Sequence, residues 1–346
     1  MNQIKVLVVD DSAFMRKVVT DILQSDPAIL VVGTARNGED AALKNLKLKP
    51  DVITMDVEMP VLDGLGALKR IMKERPTPVV MVSSQTKIGG HTTMLAMEHG
   101  AVDFVSKTSG SISLDLFTIA ELLKEKIKLA AGATVVIPDE MPKRDLPTVL
   151  MPPMASQIRK LVAIGVSTGG PKALKEVLMN IPATLPAPIV IVQHMPQGFT
   201  KSLADRLNTL CDIHVKEASD GDILKKGTTY IAPGGKHMQV LEQSGEWICR
   251  LTTAPVVNGH RPSVDVLFQS IAKLKEAAVV AVVMTGMGSD GSEGLKQLKE
   301  NPYCRSLAQS EETSVVFGMP KMAIRTTKVD EVVHLQDLAK RIVSSC

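Results

Sequence analysis

The segment IKVLVVDDSAFMRKVVTDILQSDPAILVVGTA, residues 4–35, decides the predicted fold of the first part of the chain. Residues 4–9 and 29–35 are runs of mostly aliphatic and β-branched residues, which favour buried strands. Between them, apolar residues recur at helical spacing over residues 12–23. The segment therefore predicts a β-α-β unit, in which a helix joins two parallel strands of one sheet.

The same alternation of short apolar runs and amphipathic stretches continues through the first 130 residues. The further predicted strands are residues 51–55, 79–83 and 103–105, and the predicted helices are residues 38–48, 64–75, 92–99 and 113–130. This alternation is typical of a parallel, doubly wound sheet. Five prolines then crowd into residues 132–157, where no apolar period is visible, and this composition predicts a semi-extended linker.

Strand and helix signals resume after the linker. The predicted strands are residues 160–166, 188–192 and 278–284, and the predicted helices are residues 171–179, 200–210 and 263–276. Gly-rich turns separate short alternating segments that predict β-hairpins: residues 228–232, 237–241 and 247–251. The sequence thus predicts two doubly wound α/β domains, residues 1–131 and 158–346, the second with a Rossmann-like sheet and a β-hairpin insert.

Composition and charge exclude several classes of protein. Apolar residues make up 45% of the 346 residues, which excludes a wholly disordered chain. Aromatic residues make up only 3%, and 40 Lys and Arg face 37 Asp and Glu, so nucleic-acid binding is not expected. The four cysteines form no CxxC pair, which is typical of free thiols in a reducing compartment. The longest apolar run, residues 277–284, is too short for a membrane span of ~20 residues, and no signal peptide is visible, so we expect a cytoplasmic protein without membrane insertion.

Acidic residues follow two of the predicted strands of the first domain. Asp10 and Asp11 come after the first strand and Asp56 after the third. Each aspartate by itself could cap a helix, but the carboxyl ends of parallel strands meet at one edge, where three carboxylates repel one another without a cation. Oxygen ligands of this kind suit Mg²⁺. Ser83 and Lys107 are expected at the same edge, where an aspartate could accept a phosphoryl group as an acyl phosphate.

Residues 4–130 resemble a two-component receiver domain. The resemblance is carried by VDDS at residues 9–12, MDVEMPVLDG at residues 55–64, MVSS at residues 81–84 and Lys107. It implies a flavodoxin-like fold. In one place the chain departs from the receiver pattern, because Thr108 follows the lysine where receivers place a proline. The shape of that loop is therefore left open by the resemblance.

The receiver resemblance also implies roles for individual residues. Asp56 is expected to be phosphorylated by a partner histidine kinase. Ser83, Phe104 and Lys107 are the expected switch residues. The expected Mg²⁺ ligands are Asp10, Asp11, Asp56 and the backbone carbonyl of Glu58.

In the second domain, GVSTGGP at residues 165–171 lies directly between a predicted strand and a predicted helix. It fits the G-x-S-x-G nucleophile elbow, in which glycines permit a sharp turn that exposes the serine, here Ser167. The alternative is a Gly-rich phosphate loop at a helix N-terminus. Lys172 does not complete a Walker A pattern, and the chain has no GxGxxG motif. A serine nucleophile needs a general base.

Seven histidines are candidates for that base. His194 follows the apolar run at residues 188–193, so it is expected at the same edge of the sheet as Ser167. His237 and His260 lie in predicted loops and remain alternatives. The position at a strand end favours His194.

Asp290 is the candidate partner for the histidine. It follows the predicted strand at residues 278–284 in a Gly-rich turn, where it either orients the base or caps a helix. The chain order Ser, His, Asp differs from the Ser, Asp, His order of α/β hydrolases. The backbone N–H groups of Thr168 and Met287 are the candidate oxyanion donors.

Nearly the whole chain resembles the response regulator protein-glutamate methylesterases of chemotaxis. The resemblance is carried by the receiver residues together with residues 165–171, QHMP at residues 193–196, NGHRPSVD at residues 258–265 and residues 284–291. It implies hydrolysis of glutamate γ-methyl esters and deamidation of certain glutamines on methyl-accepting chemoreceptors, with no cofactor for the esterase. The implied phosphodonor is a chemotaxis histidine kinase. The unphosphorylated receiver is expected to inhibit the esterase.

Two other functions are compatible with parts of the sequence. One is a phosphorylation-controlled binding module whose Rossmann-like second domain binds a nucleotide. It predicts nucleotide affinity and no serine reactivity. The other is a DNA-binding response regulator, against which the even charge and the absence of a helix-turn-helix pattern argue.

Overall fold

Residues 3–83, 87–107, 114–133 and 159–346 are described by a computed structural model. The chain divides into two compact units, Met1–Glu140 and Met141–Cys346. Almost all of the predicted linker and Thr108 lie outside the described residues, so the predicted domain boundaries stay a prediction.

The first unit contains a five-stranded parallel sheet. Its strands are β1 (Ile4–Val9), β2 (Ile29–Ala35), β3 (Val52–Asp56), β4 (Val79–Ser83) and β5 (Asp103–Ser106), and its helices are α1 (Ala13–Gln24), α2 (Gly38–Leu48), α3 (Gly64–Glu74), α4 (Lys87–Glu98) and α5 (Leu114–Ala131). The strand order β2-β1-β3-β4-β5 is that of flavodoxin-like sheets, which confirms the predicted fold class. The order reverses between β1 and β3, so a crevice is expected at their carboxyl ends.

Local side-chain chemistry explains where the first helices begin. The Ser12 hydroxyl accepts a hydrogen bond from the Met15 amide at 3.3 Å before α1. Asn37 and Asp63 accept from the third residue beyond each, at 2.9 and 2.7 Å, before α2 and α3. Such caps satisfy amides that have no partner within the helix. Each cap directly follows a strand or its loop, so the turn from strand to helix is encoded locally.

The second unit contains a seven-stranded parallel sheet and a two-stranded hairpin. Its strands are β6 (Arg159–Val166), β7 (Ile189–Gln193), β8 (His214–Glu217), β9 (Thr228–Ile231), β10 (His237–Gln243), β11 (Glu246–Thr252), β12 (Ala277–Val283), β13 (Cys304–Gln309) and β14 (Glu331–Val333). Its helices are α6 (Gly170–Leu178), α7 (Phe199–Leu210), α8 (Val264–Ile271), α9 (Ser292–Leu298), α10 (Met319–Arg325) and α11 (Leu335–Ser345). The order of the large sheet is β14-β13-β12-β6-β7-β9-β8.

The hairpin predictions were right for two of the three segments. β10 and β11 pair antiparallel, as predicted. The prediction was wrong for residues 228–232, because β9 pairs in parallel with β7 and β8 within the large sheet. Three of its four residues are buried, as expected for a parallel strand covered on both faces. The predicted helix at residues 263–276 is shorter, since α8 ends at Ile271.

The interior of the large sheet is aliphatic. β12 lies between β6 and β13, and its residues Val282 and Val283 have no exposed surface. This agrees with the scarcity of aromatic residues in the sequence. Within the described ranges, no helix has the length and apolar character that crossing a membrane requires.

Candidate active site and phosphoacceptor site

Ser167 lies in the tight turn between β6 and α6, at the carboxyl end of its strand, as predicted. Gly169 has φ of 77°, which is in the left-handed region that glycine adopts without strain. The Ser167 amide donates to the Thr285 carbonyl at 3.0 Å and so ties the turn to the segment after β12. The Ser167 side chain is partly exposed. The turn thus holds the backbone of the serine and leaves the residue partly exposed.

His194 follows β7, the strand that pairs with β6. The Gln193 side chain donates both to the Ser167 carbonyl at 3.0 Å and to the His194 carbonyl at 3.3 Å, so it joins the two backbones. The His194 ring contacts Asp290 through Nε2 and Oδ2 at 2.8 Å, with both side chains almost fully buried. The other ring nitrogen, Nδ1, is buried and has no hydrogen-bond partner. Because Nε2 donates to a carboxylate, Nδ1 is the nitrogen that can accept a proton.

Asp290 accepts hydrogen bonds from several donors besides His194. They are the Val264 amide at 2.7 Å, the Ser263 hydroxyl at 2.8 Å, and the Asp265 and Gly291 amides and the Asn258 side-chain amide, each at 3.1 Å. Burial acts to raise the pKa of Asp290, but His194 and these donors outweigh it and hold the pKa well below its usual range. The carboxylate is therefore ionised beside the imidazole.

The two alternatives for Asp290 are both realised, because the carboxylate contacts His194 and also meets the start of a helix. That helix is α8, whose first amides at Val264 and Asp265 donate to the carboxylate. The positive end of the helix dipole adds to the stabilisation of the negative charge. The sequence pattern suggested the helix next in the chain, but the tertiary fold brings in α8 instead.

The two alternative histidines have different surroundings. His237 lies in β10, not in a loop; its Nδ1 accepts from the Ser263 amide at 3.2 Å, and its Nε2 contacts the Pro255 carbonyl at 3.0 Å. Both ring nitrogens of His237 are thus hydrogen-bonded to backbone groups. The His260 ring stacks on the His194 ring, with 3.8 Å between centroids and 13° between planes.

The Gly286–Met287 peptide lies against the serine turn. A Cβ placed on Gly286 would lie 2.7 Å from Ser167 Cβ, so only glycine permits this approach. The Gly286 carbonyl accepts from the amides of Gly318 and Met319 at 3.1 and 2.8 Å. In a trans peptide the next N–H points the opposite way. Among the described residues, no hydrogen bond uses the Met287 amide, so it can serve an oxyanion.

Thr168, the other predicted oxyanion donor, directly follows the serine. It is buried, and its carbonyl accepts a hydrogen bond from the Thr285 hydroxyl at 2.9 Å. Thr285 thereby connects the serine turn with the segment after β12. The sequence-based reasoning missed Gly318 and Met319, because neither belongs to a motif that resembles an active-site turn.

In the first unit, the structure brings the predicted acidic residues together. The carboxylate oxygens of Asp10, Asp11 and Asp56 lie within 4.8 Å of one another. Asp10 and Asp56 are buried, whereas Asp11 is exposed. Lys107 Nζ bridges the two buried carboxylates, at 3.0 Å from Asp10 Oδ2 and 2.7 Å from Asp56 Oδ2. One ammonium therefore faces two buried carboxylates, a charge balance that suits a further cation.

Burial and charge pairing act in opposite directions on the pKa values of Asp56 and Lys107. Burial raises the pKa of Asp56, although the Lys107 ammonium counteracts it. For Lys107, burial acts to lower the pKa, but the hydrogen bonds and charges of Asp56 and Asp10 raise it above its usual value. The amide of Glu58 donates to Asp56 Oδ1 at 3.4 Å, which places its backbone beside the same carboxylate.

The predicted switch residues lie in or directly after the neighbouring strands β4 and β5. Ser83 ends β4, and its hydroxyl accepts a hydrogen bond from the Thr93 hydroxyl at 2.8 Å. Phe104 is buried in β5, with the ammonium of Lys126 5.6 Å from the centre of its ring. Lys107 directly follows β5.

These two units define a response regulator in which a receiver-type domain is joined to a hydrolase-type domain. A family model for the response regulator receiver domain matches residues 6–115, and the model for CheB methylesterase matches residues 162–342. The chain belongs to the CheB methylesterase family.

Full-length relatives carry one descriptive name, protein-glutamate methylesterase/protein-glutamine glutaminase. The protein of Halalkalibacterium halodurans is 54% identical over 100% of this chain and 99% of its own length. That of Geobacillus kaustophilus is 52% identical over 99% of each chain. The crystal structure of the Thermotoga maritima CheB methylesterase catalytic domain is 41% identical, with a TM-score of 0.53, over 54% of this chain and 98% of that one.

Proposed function

We propose that the protein hydrolyses glutamate γ-methyl esters and deamidates certain glutamines on chemoreceptors, with Ser167, His194 and Asp290 as its catalytic residues. One observation carries the proposal: a buried imidazole is bound to an ionised carboxylate at the strand edge beside the serine turn and keeps one unused nitrogen. The names of the full-length relatives support the same substrates. They do not favour the nucleotide-binding alternative.

The proposed reaction is an acyl transfer to water. Ser167 Oγ attacks the side-chain carbonyl carbon of the substrate while His194 Nδ1 takes its proton. The imidazolium then gives this proton to the leaving group, which departs as methanol from an ester or as ammonia from an amide. Water attacks the acyl-enzyme with His194 again as the base, and the products are the free glutamate side chain and Ser167 with its proton restored.

Two features of the chain stabilise charge during these steps. Asp290 keeps its negative charge and holds Nε2–H of the imidazole, which fixes the tautomer and stabilises the imidazolium. The amides of Met287 and Thr168 are the proposed donors to the negative oxygen of the tetrahedral intermediate. Such a donor typically contributes ~2.7–4 kcal/mol to transition-state stabilisation.

In the first domain, we propose Asp56 as the phosphoacceptor for a chemotaxis histidine kinase. Asp10, Asp11, Asp56 and the Glu58 carbonyl would hold Mg²⁺, which supplies positive charge to the phosphoryl oxygens when bound. Lys107 already lies against Asp56 and would pair with the phosphoryl group once the aspartate charge is lost in the acyl phosphate. Ser83 and Phe104 would respond to the new charge.

Phosphorylation of the receiver is proposed to relieve inhibition of the esterase. The family resemblance supports this regulation, and so does the division of the chain into two units. Removal of residues 1–150 is therefore expected to raise basal esterase activity. An unchanged or lower activity from a folded fragment would contradict autoinhibition. We place the protein in the cytoplasm, which its four free cysteines support.

Release of methanol from methylated receptor tests the catalytic assignment. Ser167→Ala should abolish release while the thermal unfolding midpoint stays close to that of the unmodified chain. The matched control is Ser344→Ala, an exposed serine in α11, which should keep full activity. A serine-directed fluorophosphonate should label Ser167. Methanol release by Ser167→Ala, or labelling of the chain elsewhere alone, would overturn the assignment.

A further inference from the structure

His260 stacks on the proposed catalytic base, although no step of the proposed reaction uses it. We propose that His260 is a positioning residue that holds the plane of the His194 ring, an inference that rests on the function proposed above. Its role is to keep Nδ1 of His194 directed at the serine hydroxyl. The observation that carries the inference is the parallel contact of the two rings, with 3.8 Å between centroids and 13° between planes.

The ring of His194 has one hydrogen-bonded edge and one stacked face. Its only hydrogen bond to a side chain in the described structure joins Nε2 to Asp290 at 2.8 Å. The ring can still rotate about its Cβ–Cγ bond while Nε2 stays close to Asp290, and this rotation would change the direction in which Nδ1 points. A second flat ring against its face opposes this rotation, because tilting would separate or overlap the two π surfaces.

His260 is itself fixed by a short turn. Val257 and His260 exchange two backbone hydrogen bonds at 3.1 and 2.9 Å, and His260 Nδ1 donates to the Asn258 carbonyl at 2.7 Å. Asn258 has φ of 52°, a left-handed conformation that asparagine tolerates better than most residues. The stacking ring is therefore held in one orientation by its own backbone.

The same turn is attached to the carboxylate that holds the catalytic histidine. The Asn258 side-chain amide donates to Asp290 Oδ1 at 3.1 Å and to Asp265 Oδ2 at 2.7 Å. The hydrogen-bonding partner of His194 and its stacking partner are thus linked through one residue. The turn at Asn258 therefore connects the carboxylate that hydrogen-bonds the His194 ring with the ring that stacks on it.

Substitution of His260 separates positioning from substrate binding and from acid–base chemistry. His260→Ala removes the stacked ring, and His260→Phe keeps a flat ring without its nitrogens. We expect His260→Ala to lower kcat about tenfold and to leave KM within roughly twofold. His260→Phe should recover most of kcat. The control His214→Ala removes an exposed histidine in β8 and should change neither constant.

The rate of inactivation by a fluorophosphonate gives a second readout that needs no receptor. It should fall in His260→Ala and recover in His260→Phe, in parallel with kcat. Full kcat in His260→Ala, an equal loss in both variants, or a change confined to KM would each overturn the positioning role. Failure of the proposed function is distinguishable, because the unmodified protein would then show no labelling of Ser167 at all.

Discussion

Gly318→Ala should weaken catalysis although residue 318 lies outside the proposed catalytic residues. An added Cβ would lie 2.7 Å from the Gly286 carbonyl oxygen and 3.1 Å from Met287 Cα. Both are backbone atoms, which cannot rotate away as a side chain can. The new methyl group or the peptide must therefore move by roughly 0.7 Å to reach the 3.4 Å at which ordinary contact begins.

The expected size of the effect on kcat follows from the role of the Gly286–Met287 peptide. The Met287 amide belongs to the displaced peptide and is a proposed oxyanion donor. Complete loss of such a donor lowers kcat by about 10²–10³-fold, so a partial displacement is expected to lower kcat by about 10- to 100-fold with little change in KM. The Gly318 backbone has φ of −99°, which alanine adopts without strain, so the cause is contact and not conformation.

Methanol release from methylated receptor measures the effect, with thermal unfolding as the check on folding. Gly245→Ala is the matched control, because glycine 245 lies in the turn of the β10–β11 hairpin and no atom lies within 4 Å of its added Cβ. It should leave kcat unchanged even where it lowers stability. A folded Gly318→Ala protein with kcat within roughly twofold of the unmodified chain would refute the reasoning.

Three further predictions concern charge, backbone strain and a buried thiol. Asp290→Asn keeps the shape of the side chain but removes the charge beside His194, so kcat for methanol release should fall by at least about 10³-fold; a loss under tenfold would contradict the role of the carboxylate. Val61 is 77% exposed and has φ of 71°, a left-handed conformation that strains a β-branched residue. Val61→Asn should therefore raise the free energy of unfolding in urea by about 1 kcal/mol, and a decrease would show that the conformation is not strained. Burial raises the pKa of Cys249 to about 12 from the usual thiol value of 9.0, so at high pH the folded chain keeps a proton that the unfolded chain loses. Its contribution to stability is full below pH 9 and falls by about 1.4 kcal/mol per pH unit as the pH rises towards 12. Between pH 8 and pH 10, the free energy of unfolding should therefore fall less in Cys249→Ala than in the unmodified chain. Equal decreases in the two proteins would contradict this prediction.

Much of the fold was predictable because its signals are local. Continuous apolar runs such as residues 4–9 and 278–284 became buried parallel strands close to the predicted bounds. The rule that strand ends meet at one edge placed Asp10, Asp56 and Lys107 together, and the structure shows them in contact. The same rule placed His194 and Asp290 together across nearly 100 residues of chain.

The wrong and missing predictions have a shared physical cause. β9 was assigned to a hairpin because Gly-rich turns flank a short alternating run, and only its pairing with β7 and β8 shows that it is a parallel strand. The capping of α8 by Asp290 and the stacking of His260 on His194 depend on loops that meet in space. No periodicity or motif in a single sequence encodes which loop will lie against which strand end.

The sequence by itself determined the α/β class, the elbow at Ser167 and the residue types at each strand end, because backbone propensity, apolar periodicity and turn chemistry act over a few neighbouring residues. Only the tertiary structure decided which nitrogen of His194 meets Asp290, which ring covers its face, and which amides fix the Gly286–Met287 peptide. Those contacts join residues from separate segments, and their ångström-scale geometry is set by how the packed sheet, helices and loops meet.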